Sequence, residues 1–300
     1  MLAIKSFITS VTAPADIEII FSDEERRKHL PLSKTKPEDL AILYETDDPV
    51  SGVVNITPLP GKIVAHNGIK IQLIGQIELS TERGRPFEFT SLEYELEAPG
   101  NVVNNVSYDF DFSSVEKPHE TYNGTGVKLR YFVRVTITRL YAPNITNERD
   151  FIVHSYSNQP AVNQPIRMEV GIEDSVHLEF EYQRCKYNLT DIVVGKVYFL
   201  LVRLPIKYME VALIKREIFG SNGASAEGET IARYEVMDGS VTRGESIPIR
   251  FQLGAYDLTP TLNNIQNKFS VKYFLNLVLI SEDKDQRYFK QSEIVLFRHK

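Results

Sequence analysis

Apolar and polar residues alternate at period two along most of this chain, and a sustained helical period occurs nowhere. Gly68-Ile-Lys-Ile-Gln-Leu-Ile-Gly-Gln-Ile-Glu-Leu79 starts at Asn67-Gly68, a dipeptide suited to a tight turn. Val127–Ile137 sets Val127, Leu129, Tyr131, Val133, Val135 and Ile137 against Lys128, Arg130, Phe132, Arg134 and Thr136. Phe269–Ile280 repeats that design. Val176, Leu178, Phe180 and Tyr182 face one way, and His177, Glu179 and Glu181 face the other. Strands with one wet face do not suit a parallel sheet that is covered on both sides. The alternation therefore predicts an all-β chain of antiparallel sheets, packed most simply as sandwiches.

The pattern is written twice. Val50-Ser-Gly52-Val-Val-Asn-Ile56 resembles Val193-Val-Gly195-Lys-Val-Tyr-Phe199, 143 residues on. Leu129-Arg-Tyr-Phe132 resembles Val271-Lys-Tyr-Phe274 at 142, as Pro118 matches Pro260, and Phe110 and Phe112 fall near Phe251 and Leu253 at 141. Landmarks in one order at nearly one spacing predict two β sandwiches of similar topology, residues 1–158 and 159–300. The 300-residue length suits two such lobes. Asn158-Gln-Pro-Ala-Val-Asn-Gln-Pro165 reads as the linker, and Gly220–Glu229, rich in Gly and Ser, as a flexible segment. Ser22–His29 reads as a solvated loop or edge.

Charge and cysteine exclude several function classes. The net charge is −6, so a surface that grips phosphate through Lys and Arg is disfavoured, for nucleic acid and for unaided adhesion to anionic lipid alike. Cys185 is the only cysteine, which rules out an intrachain disulfide and zinc sites with two or more thiolates. No two of the six histidines stand closer than His154 and His177, so there is no HExxH helix. The longest apolar run, Val197–Val202, is far short of a spanning helix. Met1–Ala13 makes a poor signal peptide. Sequons at Asn55, Asn105, Asn123, Asn144 and Asn188 matter only in a secreted chain, and the unpaired cysteine points instead to the cytosol.

Candidate chemistry dissolves into strand faces. Asp109 and Asp111 share one side of a strand opposite Phe110 and Phe112, which a wet-faced strand produces without any catalytic need. The same holds for His177, Glu179 and Glu181 as a metal set. Cys185 lies between Arg184 and Lys186, which favour a thiolate, but no histidine is assigned as its base. No nucleophile elbow, phosphate loop or dinucleotide fingerprint is present. One apolar feature remains. Ile231–Ser240 runs as a strand into Asp238-Gly239, and alternation places Tyr234 and Val236 on the core side with Met237 facing outward. An outward Met at a loop tip reads equally as a contact site or as a lid over the sandwich end.

Longer motifs resemble a known family. Arg167-Met-Glu-Val-Gly-Ile-Glu-Asp174, Val194–Arg203, Tyr234-Glu-Val-Met-Asp-Gly239, Gly244–Arg250, Phe269–Leu279 and Arg287-Tyr-Phe-Lys-Gln291 resemble the vacuolar protein sorting 26 family, the arrestin-like subunit of retromer. In the first half Pro60-Gly-Lys62, His66–Lys70, Gly75–Leu79, Ser107–Phe110 and Leu129–Phe132 match as well. Residues 1–40 and 140–149 match poorly.

The resemblance implies an arrestin fold, two antiparallel sandwiches joined by a short linker, and a non-enzymatic adaptor without cofactor. It implies binding to the helical-solenoid scaffold subunit through Tyr234, Val236, Met237 and Asp238. It implies capture of cytosolic cargo tails, with a sorting nexin, along Arg167, Met168, Glu169 and Val170, with Val170 and Phe289 as pocket walls. Such β-augmentation draws affinity from main-chain hydrogen bonds and selectivity from the pocket. The location implied is cytoplasmic and peripheral on endosomes, with the membrane reached only through partners and with self-association in the coat left open. The alternatives are an arrestin-like adaptor acting without retromer and a secreted adhesion or carbohydrate-active protein.

Overall fold

The computed structural model describes residues 13–33, 36–82, 84–113, 115–172, 175–220, 223, 225–282 and 286–300. Of the segment read as a poor signal peptide, residues 1–12 lie outside this set. Two compact units meet after Ser155. The first carries β1 (Ala15–Phe21), β2 (His29–Ser33), β3 (Lys36–Glu45), β4 (Val50–Pro58), β5 (Val64–His66), β6 (Ile69–Leu79), β7 (Phe87–Glu97), β8 (Gly100–Val102), β9 (Val106–Phe112), β10 (Tyr122–Asn123), β11 (Val127–Ile137) and β12 (Ile145–His154). The second carries β13 (Ile166–Ile172), β14 (Val176–Tyr182), β15 (Lys186–Asn188), β16 (Ile192–Val202), β17 (Ile206–Phe219), β18 (Ser225–Asp238), β19 (Ser246–Gln252), β20 (Leu262–Ile265), β21 (Phe269–Ser281) and β22 (Arg287–Phe297). One 3-10 turn, Leu253–Ala255, follows β19.

The chain is all-β, as the alternation predicts, and its sheets are laid out alike in the two units. The smaller sheets run β1-β4-β9 and β13-β14-β16-β19; the larger ones run β2-β3-β12-β11-β6-β7 and β15-β22-β21-β17-β18. Removing β2 and β13 leaves the same order in both. Nearly every pairing is antiparallel. The exceptions, β3 with β12 and β15 with β22, are parallel and sit at the same place in each unit.

The repeated residues have physical reasons. A Cβ on Gly52 would lie 2.1 Å from the Ile20 carbonyl oxygen, and one on Gly195 would lie 2.4 Å from that of Glu181. Both glycines are where the neighbouring strand passes too close for any side chain. The Tyr131 hydroxyl donates to the His119 carbonyl at 3.0 Å and accepts from its N–H at 3.2 Å. Tyr273, its counterpart, accepts from the Thr259 N–H at 3.2 Å. Each pins the loop carrying Pro118 or Pro260 onto the central strand.

A third repeated device follows Tyr-x-x-x-Asp-x-Val-x-Gly, at 44–52 and 187–195. Asp48 accepts from the Glu45 N–H at 2.9 Å and pairs with Arg27 at 2.8 Å. Asp191 accepts from the Asn188 N–H at 3.0 Å and pairs with Arg184 at 3.1 Å. The arginines lie over the rings of Tyr44 and Tyr187, 4.2 and 5.1 Å from their centroids. Burial pushes both phenols up to about 12. The units differ beside this device. Fully buried Lys117 donates to the Asp48 carbonyl at 2.5 Å in the first, where the second has Thr259.

Packing follows the alternation. In the first unit Phe21, Tyr44, Tyr131 and Phe151 meet ring to ring at 5.2–5.9 Å. In the second Phe180, Phe199, Val211, Leu213, Leu275 and Leu277 are shut from solvent. Each such side chain contributes roughly 1.5–3 kcal/mol relative to an exposed one. Two expectations need correction. Phe132, on the polar side of its strand, is fully buried, because Arg130 and Arg134 roof its ring at 4.0 and 5.1 Å and are held by Asp150 and Glu148. Residues 225–229 of the segment read as flexible are strand, paired from Phe219↔Ser225 to Lys215↔Glu229; the long β17 gives even small residues a ladder to join. Residues 221, 222 and 224 of that segment lie outside the described set.

Candidate functional site

Among the described residues the two sheets of the second unit end in four strands, β13 and β19 in the smaller and β15 and β18 in the larger, and β13 and β18 carry the motifs singled out above. Among the described residues β13 pairs only with β14 at one end of the smaller sheet, and β18 only with β17 at one end of the larger. They lie on opposite sides of the sandwich. Met168 of β13 reaches β22, where the Ser292 hydroxyl donates to its sulfur at 3.4 Å. Tyr234 of β18 stacks instead on Phe251 of β19, 4.6 Å between ring centroids. The two edges can therefore be engaged at once. An open edge is a row of unpaired main-chain donors and acceptors, a template for another strand.

Along β13, Ile166, Met168 and Val170 pair with Tyr182, Phe180 and Leu178, all shut from solvent, so these three face the sandwich interior. At the sheet edge they remain half-buried. Arg167 and Glu169 face outward, and Arg167 Nε pairs with Glu181 at 3.0 Å. Beside them Glu179, Glu181 and Tyr198 line a shallow depression on that outer face. Phe289, on the neighbouring β22, is 70% exposed, so it is not a core residue. The buried residues of β22, Ser292, Ile294 and Leu296, stand at even positions and Phe289 at an odd one. Phe289 is therefore on the outer face of its sheet. The structure does not bring Val170 and Phe289 onto one face.

Along β18 the alternation slips. Glu210 pairs with Glu235 and Met209 with Met237, which leaves Val236 as the extra residue of a bulge. Directly paired residues share a face, so Met237 lies on the side of fully buried Met209 and does not face outward. Because β18 is an edge, Met237 and Val236 stay half-buried rather than enclosed. Asp238 is exposed, and Gly239, at φ +91°, turns the chain where a side chain would be strained. Tyr234 has a tie that its strand pattern did not reveal: its hydroxyl is 2.7 Å from that of Tyr256, and burial pushes the phenol up. Tyr234 thus holds β18 against the opposite sheet, beside the accessible Val236 and Met237. Neither the bulge nor this tie had a signal in the sequence.

The other candidate groups are spread along strands. Asp109 and Asp111 are exposed on β9, and His177, Glu179 and Glu181 run along the outer face of β14. Among the described residues, no three His, Cys, Asp or Glu side chains converge as a metal set. Cys185 is half-buried. Its N–H and sulfur both meet the Asn163 side-chain oxygen, at 3.0 and 3.6 Å, so the Pro- and Asn-rich segment after Ser155 is tied to β15. Among the described residues no helix is long and apolar enough to cross a membrane.

Comparison with known proteins adds to this geometry. The model of the family described as vacuolar protein sorting-associated protein 26 matches residues 11–284. A relative from Arabidopsis thaliana, vacuolar protein sorting-associated protein 26B, is 48% identical over 298 residues, 98% of either chain. Vacuolar protein sorting-associated protein 26 of Dictyostelium discoideum is 48% identical over 97% of this chain and 84% of its own. That of Drosophila melanogaster is 51% identical over 95% of this chain and 59% of its own. With this likeness over nearly its whole length, and with the all-β, twice-repeated fold described above, the chain belongs to the vacuolar protein sorting-associated protein 26 family, a family of sorting proteins rather than enzymes.

Proposed function

We propose that the chain is the arrestin-like, non-enzymatic coat subunit of retromer. It binds the helical-solenoid scaffold subunit at the β18 edge through Val236, Met237 and Asp238, with Tyr234 holding that edge in place. With a sorting nexin, it captures cytosolic cargo tails on β13 along Arg167, Met168, Glu169 and Val170. Phe289 serves as a separate anchor on β22, the strand of the opposing sheet that Met168 touches. The setting is the cytoplasmic face of endosomes, for retrieval to the Golgi and to the cell surface. Family membership over nearly the whole chain supports the sorting role. The observation that supports the two-partner reading is that two of the terminal strands, β13 and β18, lie on opposite sides of one sandwich and each bears half-buried apolar side chains.

Calorimetry against the purified solenoid subunit tests the scaffold half, with Met237→Asp beside the unmodified chain. A charge at the centre of that contact is expected to cost about 2 kcal/mol or more, roughly thirtyfold in affinity, while thermal unfolding stays cooperative. Lost binding together with lost cooperativity would make Met237 a core residue. No binding by the unmodified chain would leave an arrestin-like adaptor with another partner. The cargo half is tested by Phe289→Asp: an exposed residue leaves stability unchanged, and a tail that still binds normally removes Phe289 from the site.

A further inference from the structure

One end of the first unit gathers exposed apolar residues that its own core does not use. β4 finishes there at Pro58, paired with Ala15, and β9 starts there at Val106, paired with Ile56. β11 finishes there at Ile137, paired with Ile145 and Ile69. The short β5–β8 ladder ends in the pair Val64↔Val102, which puts Ile63 and Val103 side by side just beyond it. The 138–144 loop starts at the other end of that ladder, where the Asn67 N–H donates to the Thr138 carbonyl at 2.8 Å. Three loops thus share one end of the unit, a tip opposite the end where β12 runs out to Ser155.

Their apolar side chains stand in solvent: Tyr141 is 97% exposed, Leu140 67%, Ile63 63%, Val103 55% and Leu59 40%. Five large apolar residues are thus exposed at one end of the unit, a concentration larger than scattered single exposures. The charge around them is as selective. The chain holds 40 acidic residues in 300, yet residues 58–63, 98–105 and 138–144 contain none, and their two charged residues, Lys62 and Arg139, are both cations. Two carboxylates border the loops, and one of them, Glu97, lies 3.8 Å from His66 of β5. Asp16 is on β1 opposite Thr57. Glu97, ending β7, accepts the Tyr108 hydroxyl. Pro58, Pro60, Pro99 and Pro143 punctuate the loops, which lowers the entropy lost on docking.

We propose that this tip inserts shallowly into an anionic phospholipid surface, with Tyr141 and its apolar neighbours at the headgroup boundary and Lys62 and Arg139 among the lipid phosphates. Aromatic and aliphatic tips beside cations are what such a boundary accommodates, and each cation near an anionic surface adds attraction. The net charge of −6 opposes unaided adhesion of the whole chain, so the tip acts as a weak second contact once a partner has brought the protein close, when the effective concentration is high. It needs neither the scaffold nor the cargo edge, so it stands or falls apart from the function proposed above.

The chain has no tryptophan, so a single introduced indole reports its own surroundings. Tyr141→Trp and, as control, Phe289→Trp are each tethered through a C-terminal hexahistidine tag to vesicles with nickel-chelating lipid, phosphatidylcholine and about one-third phosphatidylserine. The expected result is a blue shift and quenching by brominated lipid at 141 and not at 289. Adding Lys62→Gln with Arg139→Gln to Tyr141→Trp lowers partitioning of the untethered chain on the order of tenfold. An unshifted, unquenched 141 indole on tethered protein overturns the proposal, as does an equal response at both positions. A shift that grows with protein concentration in the absence of vesicles also overturns it, because the occupant is then a second copy.

Discussion

The two units share one frame and differ at its margins. Gly52 and Gly195, Tyr131 and Tyr273, and the arginine-clamped Asp48 and Asp191 occupy matched positions in sheets of one order. The departures include an extra strand on each, β2 on the first unit and β13 on the second, and the acid-free loops of the first; the bulge at the end of β18 recurs in β7, where Leu96 is the extra residue. Residues that hold the frame recur because the geometry recurs. Two of the features proposed to meet partners, β13 and the acid-free loops, lie where one unit has something the other lacks, whereas the β18 edge differs from β7 in its side chains and not in its bulge. That division teaches where to look for function in a duplicated fold, and it can be broken by experiment.

The largest expected effect tests the frame itself. Gly52→Ala and Gly195→Ala each force a Cβ against a backbone carbonyl at 2.1 and 2.4 Å. Backbone cannot swing aside as a flexible side chain can, so each is expected to cost about 3 kcal/mol or more in denaturant unfolding. The two penalties should be alike. A large cost at one glycine and none at the other would show that the frames are matched in outline only.

A smaller effect separates the units. At Asp48 burial raises the carboxyl, but the Glu45 N–H and Arg27 outweigh it and hold the group below its usual 3.8. A lowered folded-state value means stability that is fully present above the ordinary carboxylate range and lost as pH falls through the lowered value. Asp48→Asn is therefore expected to cost about 2 kcal/mol at pH 7, in urea titrations that converge with the unmodified chain only once pH has fallen below the lowered value. Asp191→Asn should cost less, because the first unit alone buries a lysine beside its aspartate.

Much of this was legible in the sequence, and the limit is physical. Alternation needs only local chain geometry, so β6, β11, β14 and β21 are readable from their residues. The repeat was visible at Gly52 and Gly195 because a close approach tolerates one residue type. The Tyr-x-x-x-Asp-x-Val-x-Gly device was equally present and was missed, since its arginines come from outside the motif, at positions 27 and 184. The bulge at Val236 depends on how β17 meets β18, and no local pattern encodes it. For the same reason Met237 was turned to the wrong face and Phe132 to the wet one. An edge is a property of the assembled sheet, so β13 showed its alternation but not its missing neighbour.

The matched tyrosines sharpen the comparison further. Tyr131→Phe removes a hydroxyl that makes two bonds to His119, and Tyr273→Phe removes one that serves the Thr259 N–H and hydroxyl. Each change leaves the ring and removes about 1 kcal/mol. Equal losses in thermal unfolding are expected if the two corners do the same work. A tyrosine whose loss goes unnoticed would mark the unit whose loop is held by other means.

The smallest effect is the most discriminating control. Gly228 lies in β18, and a Cβ there meets nothing within 4 Å. If Gly52 and Gly195 matter because of close approach and not because glycine suits strands, Gly228→Ala should behave in the opposite way. It removes freedom from the unfolded chain without a clash, so a gain of a few tenths of a kcal/mol is expected. The same substitution adds side chain to the β18 edge about eight residues from Val236, some 25 Å along a strand, so scaffold affinity should not move. A loss of stability at Gly228 would mean that these sheets penalise any side chain at a glycine position, and the geometric account of the repeated glycines would fail with it.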